Sequence, residues 1–255
     1  MGKIIAVFNQ KGGVGKTTTT VNVSAGLAEL GCRVLTVDTD PQGNTTSGLG
    51  ISKNELEKTI YNVLLGQVDI NRVTLDTPMK NLELIPANMD LAGAEIELLD
   101  IPKREYLLKN IIKDMKEEYD YIFIDCPPAV NILTLNALTA ADSVLVPIQC
   151  EYYALEGLTH LISTIRLVQQ KLNSNLYIEG IVFTMYDART NLSLQVVEEV
   201  KKHFSRQIYT TLIPRNVRLG EAPSHGLPIM MYDEKSKGAE SYRLLVEEIL
   251  ERKEA

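Results

Sequence analysis

Asn9-Gln10-Lys11-Gly12-Gly13-Val14-Gly15-Lys16-Thr17-Thr18 joins the apolar run Ile4–Phe8 to an amphipathic stretch, Thr17–Leu30. The run predicts a strand and the stretch predicts a helix, so the glycines occupy a strand-to-helix turn. Glycines there let successive backbone N–H groups turn inward without Cβ obstruction, and the helix aims its positive end at the same point. That combination cradles phosphate. Lys16 is placed to reach terminal phosphates, and Thr17 to offer its hydroxyl to Mg²⁺. Lys11, Gly12, Gly13, Val14, Gly15 and Thr18 complete the candidate nucleotide-binding loop.

Two further strands end in acids. Val34-Leu35-Thr36-Val37-Asp38-Thr39-Asp40-Pro41 carries Asp38 and Asp40, two apart, so on an extended chain their side chains share a face. Tyr121-Ile122-Phe123-Ile124-Asp125 has the form of a Walker B strand, and Pro127 and Pro128 then redirect the chain. Asp125 is the candidate Mg²⁺ residue, acting mainly through water because Mg²⁺ keeps much of its hydration shell.

The same alternation continues to the far end. Leu82–Ile85, Val144–Ile148, Ile181–Thr184 and Ile208–Ile213 are short apolar runs, several nearly continuous in Val, Ile and Leu. Helical patterns cover Arg104–Glu118, Ala154–Lys171, Leu192–His203 and Gly238–Glu251. Strand–helix alternation predicts a doubly wound α/β fold with a mostly parallel central sheet, flanking helices and one domain over residues 1–255. The carboxyl ends of the strands form its expected functional edge. Ile51–Lys80 is polar, less regular and expected at the periphery.

A formal net charge of -7 argues against a chain coated with nucleic acid, but not against one basic face. Cys32, Cys126 and Cys150 are too scattered for a metal clip or a redox pair and read as structural thiols. Nothing looks like a signal peptide or a membrane span, so a cytoplasmic chain is expected.

The loop departs from the usual G-x-x-x-x-G-K-[ST] at one point: Gln10 stands where the first Gly belongs, and Lys11 follows it. It resembles the deviant Walker A loop, K-G-G-x-G-K-T-[TS], of the ParA/Soj family of DNA-segregation ATPases. Pro147-Ile148-Gln149-Cys150-Glu151-Tyr152-Tyr153-Ala154-Leu155-Glu156-Gly157 resembles the same family, as does the segment from Ile213 to Gly226. The likeness covers essentially the whole chain and is nearest to the short, Soj-type branch. It implies ATP and Mg²⁺ as cofactors and an ATP-bound homodimer that binds double-stranded DNA without sequence preference. It also implies a ParB-type partner that stimulates hydrolysis, and a nucleoid-associated location. Asp40 matches the acid that positions the attacking water, while Asp38 supports Mg²⁺ and the loop. Pro214 and Asn216 fall in the segment that holds adenine and ribose. Lys11, which alone reads equally as a solvated loop lysine, matches the signature lysine that reaches the partner's nucleotide.

From Arg189 to Arg218 there are six basic residues and two acidic ones, a positive stretch in an acidic chain. Arg189 and Arg218 match basic positions that the family uses for DNA; Lys201 and Lys202 read equally as a solvated helix face. No aromatic is interleaved, which favours contact with the phosphate backbone. A MinD-like membrane-surface ATPase is the alternative. It would need a basic amphipathic tail, whereas residues 243–254 carry three basic and four acidic side chains. An iron–sulfur reductase would need a ligating cysteine pair, which is absent from the sequence.

Overall fold

A computed structural model describes residues 2–254. Eight strands are ordered along the chain: β1 (Lys3–Val7), β2 (Val34–Asp38), β3 (Leu75–Asp76), β4 (Leu82–Ile85), β5 (Tyr121–Asp125), β6 (Ser143–Gln149), β7 (Tyr177–Tyr186) and β8 (Ile208–Pro214). They form one sheet in the order β3-β4-β2-β5-β1-β6-β7-β8. Every pairing is parallel except that of β3 with β4. The helices are α1 (Lys16–Glu29), α2 (Asn44–Gly48), α3 (Ile60–Leu64), α4 (Leu91–Glu97), α5 (Leu107–Ile112), α6 (Ile132–Ala140), α7 (Ala154–Lys171), α8 (Asn191–Phe204), α9 (Val217–Glu221), α10 (Ile229–Tyr232) and α11 (Lys237–Glu254).

Strand periodicity splits the core into two layers. Ile4, Ala6 and Phe8 face one layer with Ile122, Ile124, Val144 and Val146, under the helices from α3 to α8. Ile5 and Val7 face the other with Tyr121, Phe123 and Leu145, against α1, α10 and α11. Both faces of the central strands are therefore buried, which is why their sequences are continuously apolar. The sheet positions the site directly: β1 lies between β5 and β6, so the chain leaves β1 at the point where the strand order reverses.

At one margin of the sheet, β8 has no strand beyond it. There the backbone N–H groups of Thr210 and Thr211 donate to the Glu248 carboxylate of α11, at 2.7 and 3.1 Å.

Two sequence expectations change. Arg104–Glu118 is not one helix but α5 between short 3-10 turns at Arg104–Tyr106 and Asp114–Glu117. Nor is Ile51–Lys80 merely peripheral, since Ile60, Val63, Leu64, Ile70 and Val73 enter the core and Leu75–Asp76 adds the antiparallel edge strand. The helix α6, absent from the sequence reading, is apolar and buried along most of its length, so it shows no amphipathic period.

Candidate nucleotide site

The loop after β1 has the backbone its glycines require. Gly13 (φ +74°) and Gly15 (φ +88°) adopt left-handed conformations, and Gly15 is the residue from which α1 starts. A Cβ at Gly12 or Gly13 would meet nothing within 4 Å, so the loop borders open space there. Side chains from other strands fix the loop. Asn9 donates to the Pro147 carbonyl at 2.8 Å, and Gln10 donates to the Thr164 hydroxyl of α7 at 2.6 Å. Thr184 of β7 donates to the Val14 carbonyl at 2.8 Å.

The two loop lysines differ in placement. Lys16 is 7% exposed, and its ammonium donates to the Lys11 carbonyl at 3.1 Å. Burial lowers its pKa, opposed by the negative charges of Asp125 and Asp40. The Lys11 side chain is 40% exposed, and its ammonium pairs with Glu151 at 2.5 Å.

The acids converge beneath the loop. Asp38 and Asp125 are cross-strand neighbours on β2 and β5, both fully buried. Asp125 accepts from Thr17 at 2.8 Å, from Thr45 at 2.7 Å and from Thr20 at 3.2 Å. Asp38 accepts from the Thr46 amide and hydroxyl at 2.9 and 2.8 Å, and from the Asp40 amide at 3.1 Å. Its carboxylate thus organises the segment after β2, and Thr17 and Asp125 are the metal candidates that touch one another. Burial raises the pKa of both acids, and the Asp125 charge raises Asp38 further. Asp40, at 9% exposure, accepts from the Gln42 amide at 3.0 Å and opens the turn into α2.

These residues suit a hard cation. Hydroxyl and carboxylate oxygens supply the donors, and no group of three or more His, Cys, Asp or Glu among the described residues could hold a metal alone. A few oxygens, with water and phosphate completing the shell, is the way Mg²⁺ is bound. Thr45 is the residue that sequence reasoning missed. Its signal, a threonine pair shortly after Asp40-Pro41, was present but carried no geometry.

Beside the loop lies a cleft of about 190 Å³ lined by Gly15, Thr18, Thr184, Met185, Pro214, Asn216 and Tyr242, among others. Pro214 and Asn216 therefore border the same cleft as the loop. Asn216 also caps α9, its Oδ1 accepting from the Arg218 amide at 2.8 Å. Met185 holds φ +50°, an uncommon conformation for a residue with a side chain. It was not singled out in the sequence.

Arg189 lies in the turn after β7 and Arg218 in the short helix α9 after β8, and the two segments are joined where the Arg215 amide donates to the Tyr186 carbonyl at 3.1 Å. Each already faces acids. Arg189 forks onto Asp187 at 2.9 and 2.7 Å, and Arg218 pairs with Glu221 at 2.8 Å and Asp233 at 3.4 Å. Lys202 pairs with Glu199 along α8 at 2.6 Å.

Residues 2–178 match a family model described as an AAA domain. The chain is 59% identical over 249 residues to the sporulation initiation inhibitor protein Soj of Bacillus subtilis, covering 98% of each. It is 53% identical over 252 residues to the chromosome partitioning protein ParA of Myxococcus xanthus, covering 99% of this chain and 89% of the relative. The chain belongs to the ParA/Soj family. Among solved structures, a Mycobacterium smegmatis protein described as cobyrinic acid a,c-diamide synthase, with bound ADP and magnesium, superposes with a TM-score of 0.88. It is 40% identical and the match covers 100% of this chain and 96% of that one. In this ParA/Soj chain the C-terminal helix α11 buries Tyr242, Leu245, Val246 and Ile249 in the core, and no described helix is long and apolar enough to cross a membrane.

Proposed function

We propose that this chain is an ATP-hydrolysing partition switch of the cytoplasm and nucleoid. With ATP and Mg²⁺, two copies close face to face. The homodimer holds double-stranded DNA without sequence preference, and a ParB-type partner stimulates the hydrolysis that releases it.

The unequal placement of the two loop lysines carries this reading. Lys16 is buried in the loop, where it serves a nucleotide bound to its own chain. Lys11 stands 40% exposed at the rim, where a cation suits the nucleotide of a facing copy. Bound ATP supplies the phosphoryl group to be transferred to water, and Mg²⁺ neutralises its developing charge. Thr17 holds the cation, with Asp125 and Asp38 behind it. Pro214 and Asn216 hold the base and ribose. Asp40 orients the attacking water.

Arg189 and Arg218 are the proposed phosphate contacts on DNA. Pairing doubles the net charge of -7 as well as the arginines, so retention relies on the local basic face, whose phosphate contacts a dimer offers twice. Size-exclusion chromatography with ATP, with ADP and without nucleotide, repeated with duplex DNA, tests the cycle. A dimer that forms only with ATP and alone retains DNA is expected. Equal behaviour in ATP and ADP overturns the reading.

A further inference from the structure

We infer that Glu151 is a positioning residue for Lys11: it holds the lysine within its own chain, and two copies pair across ATP only after both lysines have left it. This rests on the dimer proposed above.

Three consecutive loop residues grip the segment from β6 into α7, and they do so differently. Asn9 and Gln10 make neutral hydrogen bonds to Pro147 and Thr164. Lys11 alone uses a charge, on a carboxylate 140 residues away in sequence. That carboxylate stands on a fixed backbone. The Glu151 amide donates to the Gln149 carbonyl at 2.8 Å, and the Glu151 carbonyl accepts from the Ala154 amide at 2.9 Å, where α7 begins. Both side chains of the pair are about two-fifths exposed, so the contact can open without unpacking the core.

The latch is also joined to the nucleotide site. The Lys16 ammonium bonds to the carbonyl of Lys11 itself. The Lys11 amide also donates to Asn9 Oδ1 at 3.0 Å, so a phosphate that draws Lys16 away removes one of the three polar contacts that hold Lys11. Nucleotide binding in one chain thereby loosens the lysine needed by the other.

A part-exposed pair of this kind is worth about two- to fivefold in an equilibrium. Each dimer opens two, so the dissociation constant of the dimer carries about four- to twenty-five-fold from both latches. Sedimentation velocity of the full chain with a non-hydrolysable ATP analogue measures it, comparing wild type, Glu151→Gln and Glu151→Asp. Glu151→Gln should tighten the dimer by that factor, and Glu151→Asp should restore much of the wild-type value. ADP affinity of the single chain should stay within about twofold, and the Lys11 amine should become more reactive toward acylation in the Gln variant; a merely structural glutamate would not move that reactivity. A Gln variant with an unchanged or weaker dimer, beside a wild type that does dimerise, overturns the latch alone. A wild type that stays single at saturating analogue overturns the dimer reading and the latch with it.

Discussion

Asp38 of β2 and Asp125 of β5 are cross-strand partners, and the consecutive threonines Thr46 and Thr45 each donate to one of the two carboxylates. The start of α2 is therefore pinned to both acids at once, and the turn holding Asp40 hangs from that pin. Whatever changes the charge on the pair acts on the turn.

The first expectation concerns pH. Burial raises the pKa of Asp38 to about 7 from an ordinary 3.8, and Asp125 rises with it. The folded chain then keeps a proton that the unfolded chain has lost, so stability falls as pH rises from the ordinary carboxylate range through about 7. Across about 1.5 pH units within that window one such proton is worth about 2 kcal/mol, roughly 4–8 °C in Tm for a chain of this size. Calorimetry without nucleotide at about pH 5.5 and about pH 8 should show the higher Tm at the lower pH. Asp38→Asn should flatten the difference; a Tm that rises with pH in the wild type refutes the assignment.

Asp40→Ala should bind ATP, form the dimer and fail to turn over, because the state that hydrolysis would end persists. The loss of rate should be about 10²- to 10⁴-fold, the usual contribution of a positioned acid or base. Phosphate release and light scattering measure the two halves. Parental turnover, or a single chain at saturating ATP, counts against the role.

Lys16→Ala and Lys11→Ala should fail differently. Loss of a charged contact in the same chain should weaken nucleotide binding by about 10- to 100-fold for Lys16→Ala. Lys11→Ala should bind ADP as wild type does and lose turnover, by as much as about 10³- to 10⁵-fold where trans cations dominate. Calorimetric titration of the single chains separates them, and equal losses of affinity would remove the case for a trans lysine.

Substituting Arg189 should flatten the slope of log DNA affinity against log salt by roughly two, since each phosphate contact contributes about 0.9 and the change appears in both subunits. The loss should be alike on unrelated duplexes. Asp187→Asn frees the guanidinium from its forked partner and should tighten DNA binding. Undiminished binding by an Arg189→Glu dimer would move the DNA surface elsewhere.

Much of this was legible in the sequence because it is local. Seven of the strands announced themselves as apolar runs, and the phosphate loop is a contiguous motif whose glycines at 13 and 15 meet a backbone demand. What was hidden depends on distant neighbours. Residues 104–118 carry a helical pattern, yet the chain forms the short helix α5 between two 3-10 turns. Thr45 acquires its meaning only from Asp125, 80 residues later. Asn216 was singled out only through the family resemblance, because its place on the cleft requires β7 and β8 to be brought beside the loop.

Glu248 has a consequence for what the molecule avoids. An outer strand with open amide hydrogens is a template on which further chains can add, without limit, as in fibrils. By filling the Thr210 and Thr211 amides, Glu248 blunts that template at β8, and the two-residue β3 offers too short a stretch at the opposite margin. Both flanks of the sheet are thus blunted against edge-to-edge polymerisation.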